Sequence, residues 1–272
     1  MIDQHTQLYG VVGNPIGHSL SPTMHNAAFL ETGLNAVYLA FETNDIRDAV
    51  KGMKAMGIKG LSVTIPYKED VIPLLNEVDD LAAKIGAVNT VVNQEGLLKG
   101  YNTDAVGALK ALEEKTEISG KRCLIVGAGG AARAIGYILK KKGADVIVVN
   151  RSVERGESLC RDIGCTFVHL NELEFQTSDI LINTTPVGMT PETDLCPVPE
   201  KVLKRGMIVM DIIYNPLETR LIRAAKSMDC LTVNGLGMFI HQGAEQFRLW
   251  TGLEAPIEVM MEAVKKGLNE AR

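Results

Sequence analysis

Polar residues follow several apolar runs of this sequence, where loops could present them to a ligand. The stretch GNPIGHSLSP follows the apolar run LYGVV and places Ser19 and Ser21 two residues apart. A plain turn needs only residues such as Gly, Pro and Asn, so the two hydroxyls suggest a loop that binds something polar. SVTIPYKED likewise sets Thr64 and Lys68 after an apolar run, and YNTD sets Asp104 before a helical pattern.

A glycine-rich turn supplies the clearest chemical signal. RCLIVGAGGAARAIGYIL contains the pattern G-x-G-x-x-A at Gly127, Gly129 and Ala132, directly after a predicted strand and at the start of a predicted helix. In that context small residues let the backbone approach a pyrophosphate, and the helix N-terminus donates N–H groups to it. The sequence therefore predicts a dinucleotide site here.

The end of the next predicted strand indicates which dinucleotide binds. An NAD site usually places Asp or Glu there to bond the ribose 2′-hydroxyl. DVIVVNRS instead has Asn150 followed by Arg151, with Arg155 four residues further on. A guanidinium pairs well with a phosphate, so the pattern predicts NADP. The plainer reading, in which Arg151 only begins a solvated helix, stays open at this point.

A nicotinamide enzyme also needs a group that exchanges a proton with the substrate oxygen. Thr64, Lys68, Asn89 and Asp104 are the candidates outside the dinucleotide segment. Each has a plainer reading, such as an exposed lysine, a helix cap or a turn residue. Together they fall at strand ends or helix starts, where α/β folds bind ligands.

The order of predicted elements indicates two α/β domains. Short β-rich runs alternate with helical segments, which favours parallel sheets. The pattern breaks at TEISGK, residues 116 to 121, and then restarts. The first helix is predicted to open with Ser21 as its N-cap and Pro22 at its first position. A short helical piece is predicted from Lys68 to Leu75.

Bulk composition narrows the class of protein. The 272 residues carry a formal net charge of -5, which provides no basic face for nucleic acid or anionic lipid. No apolar run approaches the roughly 18 residues of a membrane span, and the start MIDQHTQLYG shows no signal peptide. The odd number of cysteines without a C-x-x-C pair predicts reduced thiols, no zinc site and a cytoplasmic protein.

Nine separated blocks give the sequence a close resemblance to the shikimate dehydrogenase family. They are GNPIGHSLSP, GLSVTIPYKE, GAVNT, YNTDAVG, GAGGAARA, NRS, NTTPVGM, DIIYNPLETRL and NGLGMFIHQGAEQF, in the order of that family and over nearly the whole chain. The resemblance implies reversible NADPH-dependent reduction of 3-dehydroshikimate to shikimate in the route to aromatic amino acids.

The resemblance also implies a substrate site and its catalytic pair. Ser19 and Ser21 would bond the substrate carboxylate with help from Tyr214. The residues implied around the hydroxyls are Thr64, Lys68, Asn89, Asp104 and Gln242. Lys68 and Asp104 match the catalytic pair, and whether Lys68 acts mainly as acid and base or electrostatically stays open, because a nearby carboxylate raises a lysine pKa.

On the cofactor side the resemblance implies a set of positions on both sides of the glycine turn. They are Asp80, Gly127, Ala128, Gly129, Gly130, Ala131, Asn150, Arg151, Ser152, Arg155, Thr184, Ile212 and Gly235.

The expected fold class is α/β, with an N-terminal substrate domain and a Rossmann NADP-binding domain separated by a cleft. The expected bounds are 1–104 plus 236–272 for the first domain and 105–235 for the second. A small-molecule substrate and a monomer or homodimer are expected. Two alternatives remain, a quinate/shikimate dehydrogenase and a non-catalytic NADP-binding sensor; the intact Lys68 and Asp104 argue against the sensor.

Overall fold

The computed structural model describes residues 2–270 and divides the chain into two compact units. The first unit contains the residues up to Thr103 together with those from Gln242 onward, and the second contains Asp104–His241. The first boundary lies one residue before the expected one, since Asp104 begins the second unit. The second boundary lies between His241 and Gln242, six residues after the expected one and further along the same helix.

Strands and helices alternate through most of the described chain. The strands are β1 (Gln7–Gly13), β2 (Ala36–Glu42), β3 (Gly60–Val63), β4 (Glu77–Val78), β5 (Thr90–Gln94), β6 (Leu97–Tyr101), β7 (Arg122–Val126), β8 (Asp145–Asn150), β9 (Thr166–His169), β10 (Ile180–Asn183), β11 (Ile208–Asp211) and β12 (Leu231–Val233). The helices are α1 (Ser21–Glu31), α2 (Ile46–Ala55), α3 (Asp80–Ile85), α4 (Asp104–Glu113), α5 (Gly130–Lys141), α6 (Val153–Ile163), α7 (Arg220–Ser227), α8 (Gly235–Thr251) and α9 (Ile257–Glu270).

The first unit is built on a mixed six-stranded sheet in the order β2-β1-β3-β5-β6-β4. β1 pairs in parallel with β2 and β3, as the repeated β-α-β pattern predicts. β5 is antiparallel to both β3 and β6. The pairing of β5 with β6 agrees with AVNTVVN and LLKGY as a predicted β pair, and the two strands are antiparallel because a short Glu95-Gly96 turn joins them instead of a helical crossover.

The second unit is a fully parallel sheet in the order β12-β11-β10-β7-β8-β9. From β7 onward this is the 3-2-1-4-5-6 order of a dinucleotide-binding Rossmann sheet, with its reversal between β7 and β10. The strands at the reversal are buried almost throughout, because helices cover both faces of such a sheet. Apolar residues of β7, β8, β10 and β11 form one cluster, including Leu124, Val149, Leu181 and Val209.

Two local expectations are wrong. α1 begins at Ser21, and Leu20 occupies its cap position. The Ser19 hydroxyl instead accepts from the Ser21 backbone N–H at 3.3 Å, which closes the turn before the helix. The helical piece expected from Lys68 to Leu75 is a run of turns followed by a 3-10 turn at Ile72–Leu74, since Pro73 interrupts α-helical hydrogen bonding.

Among residues 2–270, no helix is long and apolar enough to cross a membrane.

Candidate active site

The expected substrate residues of the first unit lie at one edge of its sheet. β1 and β3 are parallel, so the loops after both strands leave at the same edge. In the antiparallel ladders Thr90 pairs with Ser62 and also with Tyr101, which brings the start of β5 and the end of β6 to that edge. Thr64 and Asn89 therefore share it.

Backbone hydrogen bonds connect the loops at this edge. The N–H of Thr64 donates to Val12 at 3.0 Å, and the N–H of Asn14 donates to Ile65 at 3.0 Å. These bonds join the segment that carries Ser19 and leads into α1 at Ser21 to the loop that carries Thr64. The carbonyl of Lys68 accepts from the Val88 N–H at 2.8 Å, directly before Asn89. Five expected substrate residues thus lie on segments that these backbone hydrogen bonds connect.

A buried glutamine, Gln246 on α8, orders the polar groups beneath the edge. Its side chain is 1% exposed, and its Nε2 contacts the backbone carbonyl of Asn89 at 3.3 Å and the Thr90 hydroxyl at 2.9 Å. A carbonyl can only accept, so the nitrogen of the amide must face Asn89. The amide oxygen consequently faces the other way and accepts from the Ser62 hydroxyl at 2.9 Å.

The same ordering fixes the side chain of Asn89. The Thr90 hydroxyl accepts from Gln246 and donates to Asn89 Oδ1 at 2.8 Å. The backbone N–H of Thr103 also donates to that oxygen at 2.8 Å, and Asn89 Nδ2 donates to the Thr103 hydroxyl at 2.9 Å. The Thr103 N–H can only donate, and the Thr90 hydroxyl already accepts from Gln246. Both groups therefore donate to Oδ1 of Asn89, which fixes the orientation of its amide. Asn89 is thereby held against the residue that precedes Asp104 in the chain.

His25 completes this buried network on α1. Its Nε2 lies 3.3 Å from the Gln246 amide oxygen, and its ring stacks on Tyr38 with centroids 4.5 Å apart. The Tyr38 hydroxyl donates to Ser62 at 2.6 Å. Burial lowers the pKa of His25 to about 3, so the ring is neutral, with its proton on the nitrogen that faces the amide oxygen. His25 therefore supports the fold here and carries no charge for the site.

Gln242 lies one helical turn before Gln246 on α8. Side chains four residues apart on a helix share a face. Gln242 is 8% exposed and thus points, like Gln246, away from bulk water. Gln246 was not predicted as a site residue, since a lone glutamine in AEQFRLW is also compatible with a solvated face.

In the second unit the glycine turn follows β7 at the reversal of the strand order. Gly127 has a φ of 114°, and a Cβ added to it would lie 2.5 Å from the hydroxyl oxygen of Thr184. Thr184 follows β10, and its hydroxyl donates to the Val126 carbonyl at 2.7 Å. Only glycine fits between these two strand ends. The bare backbone opens directly into α5, whose cap position, Gly129, has no side chain to cover the N-terminal N–H groups.

The residues expected to hold a 2′-phosphate lie after β8. Asn150 Nδ2 donates to the carbonyl of Ser152 at 3.0 Å, and the Ser152 hydroxyl caps α6 by accepting from the Arg155 N–H at 3.3 Å. Arg151 and Arg155 are both exposed. Two hydrogen bonds thus hold the turn, while its two arginine side chains are exposed to solvent. This arrangement fits a dinucleotide with a 2′-phosphate, because two cations and a bare helix N-terminus flank the cradle at Gly127.

Three further expected residues lie near the ends of β11 and β12. Ile212 follows β11 directly, and Gly235 donates its N–H to the Ile213 carbonyl at 3.1 Å. The ring of Tyr214 stacks on Phe239 of α8, with centroids 4.2 Å apart. Asp80, expected near the cofactor, is the exposed first residue of α3 in the first unit.

A buried carboxylate that was not predicted, Asp211, fixes this segment. It accepts from Asn183 Nδ2 at 3.0 Å, from the Ile213 N–H at 3.2 Å and from the Thr219 hydroxyl at 2.7 Å. Burial raises the pKa of Asp211 to about 6, against the lowering effect of these three donors. Asp211 thereby ties the loop that carries Ile212 to the end of β10.

The geometry of the second unit defines the class of protein. A parallel 3-2-1-4-5-6 sheet with a bare glycine turn at its reversal is a dinucleotide-binding domain, here joined to a unit with a polar sheet edge. Comparison with known proteins identifies the family. Three family descriptions match: shikimate dehydrogenase substrate binding domain (residues 11–91), shikimate/quinate 5-dehydrogenase (109–212) and shikimate 5'-dehydrogenase C-terminal domain (235–265).

Similar proteins span the whole chain. NADP(+) shikimate dehydrogenase of Pyrococcus furiosus is 47% identical over 100% of both chains. A crystal structure of a shikimate dehydrogenase with NADP+ has a TM-score of 0.93 at 44% identity, covering 98% of each chain. That of the Thermus thermophilus enzyme with NADP(H) and shikimate has a TM-score of 0.89 at 36% identity, covering 96% of this chain and 99% of that one. This chain belongs to the shikimate dehydrogenase family.

These findings confirm the predicted family, the two-domain α/β class with a Rossmann-type domain, the dehydrogenase class and NADP as cofactor. The roles of the individual site residues stay predictions, and so do the roles of the two domains.

The hydrogen bonds of Gln246 predict that replacing it with glutamate, which has the same shape but a negative charge, strongly destabilises the folded protein. Gln246→Glu replaces the nitrogen that donates to the Asn89 carbonyl and the Thr90 hydroxyl with a carboxylate oxygen, which can only accept. We expect the free energy of unfolding at pH 7 to fall by roughly 3–5 kcal/mol. The loss should shrink at acidic pH, where the new carboxyl is protonated and can donate. Denaturant titration measures both effects.

The matched control is Gln94→Glu at the exposed end of β5, where the same change meets water. We expect a change below about 0.5 kcal/mol there. Equal losses in the two variants would contradict the assignment of the Gln246 amide.

Asp211 predicts a specific pH dependence of stability. Its pKa is raised from an ordinary 3.8 to about 6, so the folded chain holds this proton more tightly than the unfolded chain. Its contribution is fully present below about pH 4 and is lost as the pH rises through 6. The unfolding free energy of the wild type, relative to Asp211→Asn, should fall by roughly 2–2.5 kcal/mol between pH 4 and pH 7.

Denaturant titrations across this pH range measure that difference. Asp194→Asn, at an exposed carboxylate, is the control and should follow the wild type. Parallel pH curves for the wild type and Asp211→Asn would refute the raised pKa.

Proposed function

We propose that this protein catalyses the reversible NADPH-dependent reduction of 3-dehydroshikimate to shikimate, in the route to aromatic amino acids. The observation that carries the proposal is the full-length similarity to NADP(+) shikimate dehydrogenases, 47% identical in the first case. The direction of net flux in the cell is part of the proposal.

The chain's own residues would hold the cofactor in three places. The backbone around Gly127 and the N-terminus of α5 would receive the pyrophosphate, and Arg151 and Arg155 would pair with the 2′-phosphate. Thr184, Ile212 and Gly235 would lie along the nicotinamide half. When bound, NADPH supplies the hydride. The positions Ala128, Gly130, Ala131, Asn150, Ser152 and Asp80 complete the proposed cofactor set.

The substrate would bind at the polar sheet edge of the first unit. It is a small ring with one carboxylate and several hydroxyls, each of which loses bonds to water on binding. Hydroxyls and amides can replace those bonds individually. Ser19 and Ser21, with Tyr214, would bond the carboxylate, while Thr64, Asn89 and Gln242 would bond the hydroxyls. The fixed amide of Asn89 supports this role, because a preset donor loses little freedom on binding.

Lys68 and Asp104 would carry the proton chemistry. In reduction, Lys68 would donate a proton from Nζ to the carbonyl oxygen of the substrate; in oxidation, it would accept that proton. Asp104 would orient the ammonium and bond the substrate. A carboxylate beside a lysine favours its charged form. Stabilisation of negative charge on the oxygen by the ammonium is therefore the second role open to Lys68.

The alternative substrate is quinate, since one of the matching family descriptions covers both shikimate and quinate dehydrogenases. The resemblance associates the quinate relatives with NAD and with an acidic residue where Asn150 and Arg151 stand, so this sequence favours the NADP enzyme. The intact Lys68 and Asp104 favour an enzyme over an NADP-binding sensor. A cytoplasmic location and a monomer or homodimer complete the proposal.

The test is a spectrophotometric assay of four pairs: shikimate or quinate with NADP or NAD. We expect fast turnover with shikimate and NADP alone. Lys68→Met keeps the length of the side chain but removes its charge, and we expect kcat to fall by at least roughly 100-fold.

Preference for quinate or NAD would move the protein to the alternative. NADP binding without turnover of any pair would support the NADP-binding sensor. Full activity of Lys68→Met would refute the proposed role of Lys68 but leave the proposed reaction standing.

The proposed contact between Arg151 and the 2′-phosphate predicts that this residue sets the preference for NADP over NAD. Arg151→Ala removes a charged partner of the 2′-phosphate, which should raise the KM for NADP by roughly 10- to 100-fold. The KM for NAD, which lacks this phosphate, should change by less than about twofold. Arg161→Ala is the matched control, an exposed arginine at the other end of α6. Equal losses for NADP and NAD would contradict the proposed phosphate contact.

A further inference from the structure

Two cysteines meet at the C-terminal end of α6. Gly164 follows the helix in the left-handed conformation, with a φ of 69°. The N–H of the next residue, Cys165, donates to the carbonyl of Cys160 at 3.0 Å. This bond between the first and sixth residues of the turn defines a Schellman motif, in which Cys160 and Cys165 occupy the C3 and C″ positions.

That motif accounts for the closeness of the two thiols. The side chains at C3 and C″ commonly touch, and the contact usually joins two apolar residues. Here both are cysteines, and their sulfur atoms lie 2.8 Å apart, with the Cys165 thiol donating to Cys160. A disulfide requires about 2.05 Å. The backbone turn therefore already holds the sulfurs close to bonding distance.

The surroundings of the pair suit redox chemistry. Cys160 is 6% exposed and Cys165 is half-buried, and both border a shallow surface depression together with Glu157, Arg161 and Phe167. The hydrogen bond from Cys165 lowers the pKa of the Cys160 thiol. The same bond, together with burial, raises the pKa of Cys165. Cys160 is thus the thiol that ionises first, and the thiolate is the reactive form.

We propose that Cys160 and Cys165 form a redox-active pair that reduces hydroperoxides and closes as a reversible internal disulfide. The Cys160 thiolate attacks the terminal oxygen of the hydroperoxide, and the O–O bond breaks to leave a sulfenic acid on Cys160. The departing hydroxide or alkoxide takes a proton from solvent and leaves as water or an alcohol. Cys165 then loses its proton to solvent and attacks the Cys160 sulfur. The S–S bond forms as the S–O bond breaks, and the departing hydroxide takes up a proton and leaves as water. Two thiols thereby supply the two electrons that the peroxide accepts.

Cys165 is the resolving thiol of the pair, which means that it converts the sulfenic acid on Cys160 into a disulfide. A sulfenic acid without such a partner is exposed to further, irreversible oxidation, whereas a disulfide returns to two thiols with a thiol reductant. Cys230 is partly exposed and donates to the Lys204 carbonyl. It serves as the internal reference for simple solvent exposure. The inference is independent of the proposed dehydrogenase function.

The position of Arg161 permits a sharp test. Trypsin cleaves after Arg161, between the two cysteines, so only a disulfide keeps the two resulting peptides together. The full-length Cys196→Ser protein is the starting variant, because Cys196 falls in the same tryptic peptide as Cys165. It is treated with hydrogen peroxide, blocked with N-ethylmaleimide, digested and analysed by mass spectrometry.

We expect the two peptides to appear linked, with the mass of two hydrogens lost and no maleimide on either cysteine. Dithiothreitol should restore both thiols. In the Cys165→Ser variant the sulfenic acid should persist on Cys160 and be trapped by dimedone. Cys160→Ser is the second variant, and it should give no linked peptides.

Two results would overturn the proposal. One is full maleimide labelling of Cys160 and Cys165 at a peroxide concentration that oxidises Cys230. The other is trapping of a Cys160 sulfenic acid by dimedone while Cys165 is intact, with no linked peptides.

Discussion

The buried amide of Gln246 organises the polar groups of the first unit. Its nitrogen donates to the Thr90 hydroxyl and to the Asn89 carbonyl, which also accepts from the Val63 N–H at 2.8 Å. The direction of this amide orients the hydroxyls of Ser62 and Tyr38 on one side, and on the other it orients Thr90 toward the Asn89 amide. The side chains of Gln246, Ser62, Thr90 and Asn89 all have partners in this buried network, whereas Nδ1 of His25 has none. The network ends on Asn89, a residue proposed to meet the substrate.

The second unit depends on a different constraint, the close approach of the ends of β7 and β10. The strands on either side of the order reversal must lie near each other for a ligand to bind at their ends, and the Thr184 hydroxyl leaves no room for a side chain at Gly127. Asp211 secures the adjoining loop by accepting three hydrogen bonds. The first unit thus offers oriented side chains, whereas the second offers bare backbone and charge. A polyhydroxylated ring and a phosphorylated dinucleotide require these two kinds of surface respectively.

The sequence was informative where chemistry is local. The glycine pattern, the strand before it and the arginines after the next strand lie within about 30 residues, the span of one β-α-β unit. Gln246 and Asp211 were missed because their roles come from distant partners: Gln246 meets Asn89 from 157 residues away, and Asp211 meets Asn183 from 28. The cap of α1 was placed wrongly at Ser21 because Ser19, a second hydroxyl two residues earlier, closes the turn instead.

The thiol pair shows why residue types alone also miss local chemistry. Five cysteines without a C-x-x-C spacing predicted ordinary reduced thiols, and a spacing of five residues matches no common redox motif. On a continuing helix, side chains five residues apart point in different directions, because 3.6 residues make one turn. The left-handed Gly164 reverses the chain and brings Cys165 back over Cys160. The meaning of the spacing therefore depends on the conformation of one glycine, and the same argument applies to any helix that ends in this motif with cysteines at its C3 and C″ positions.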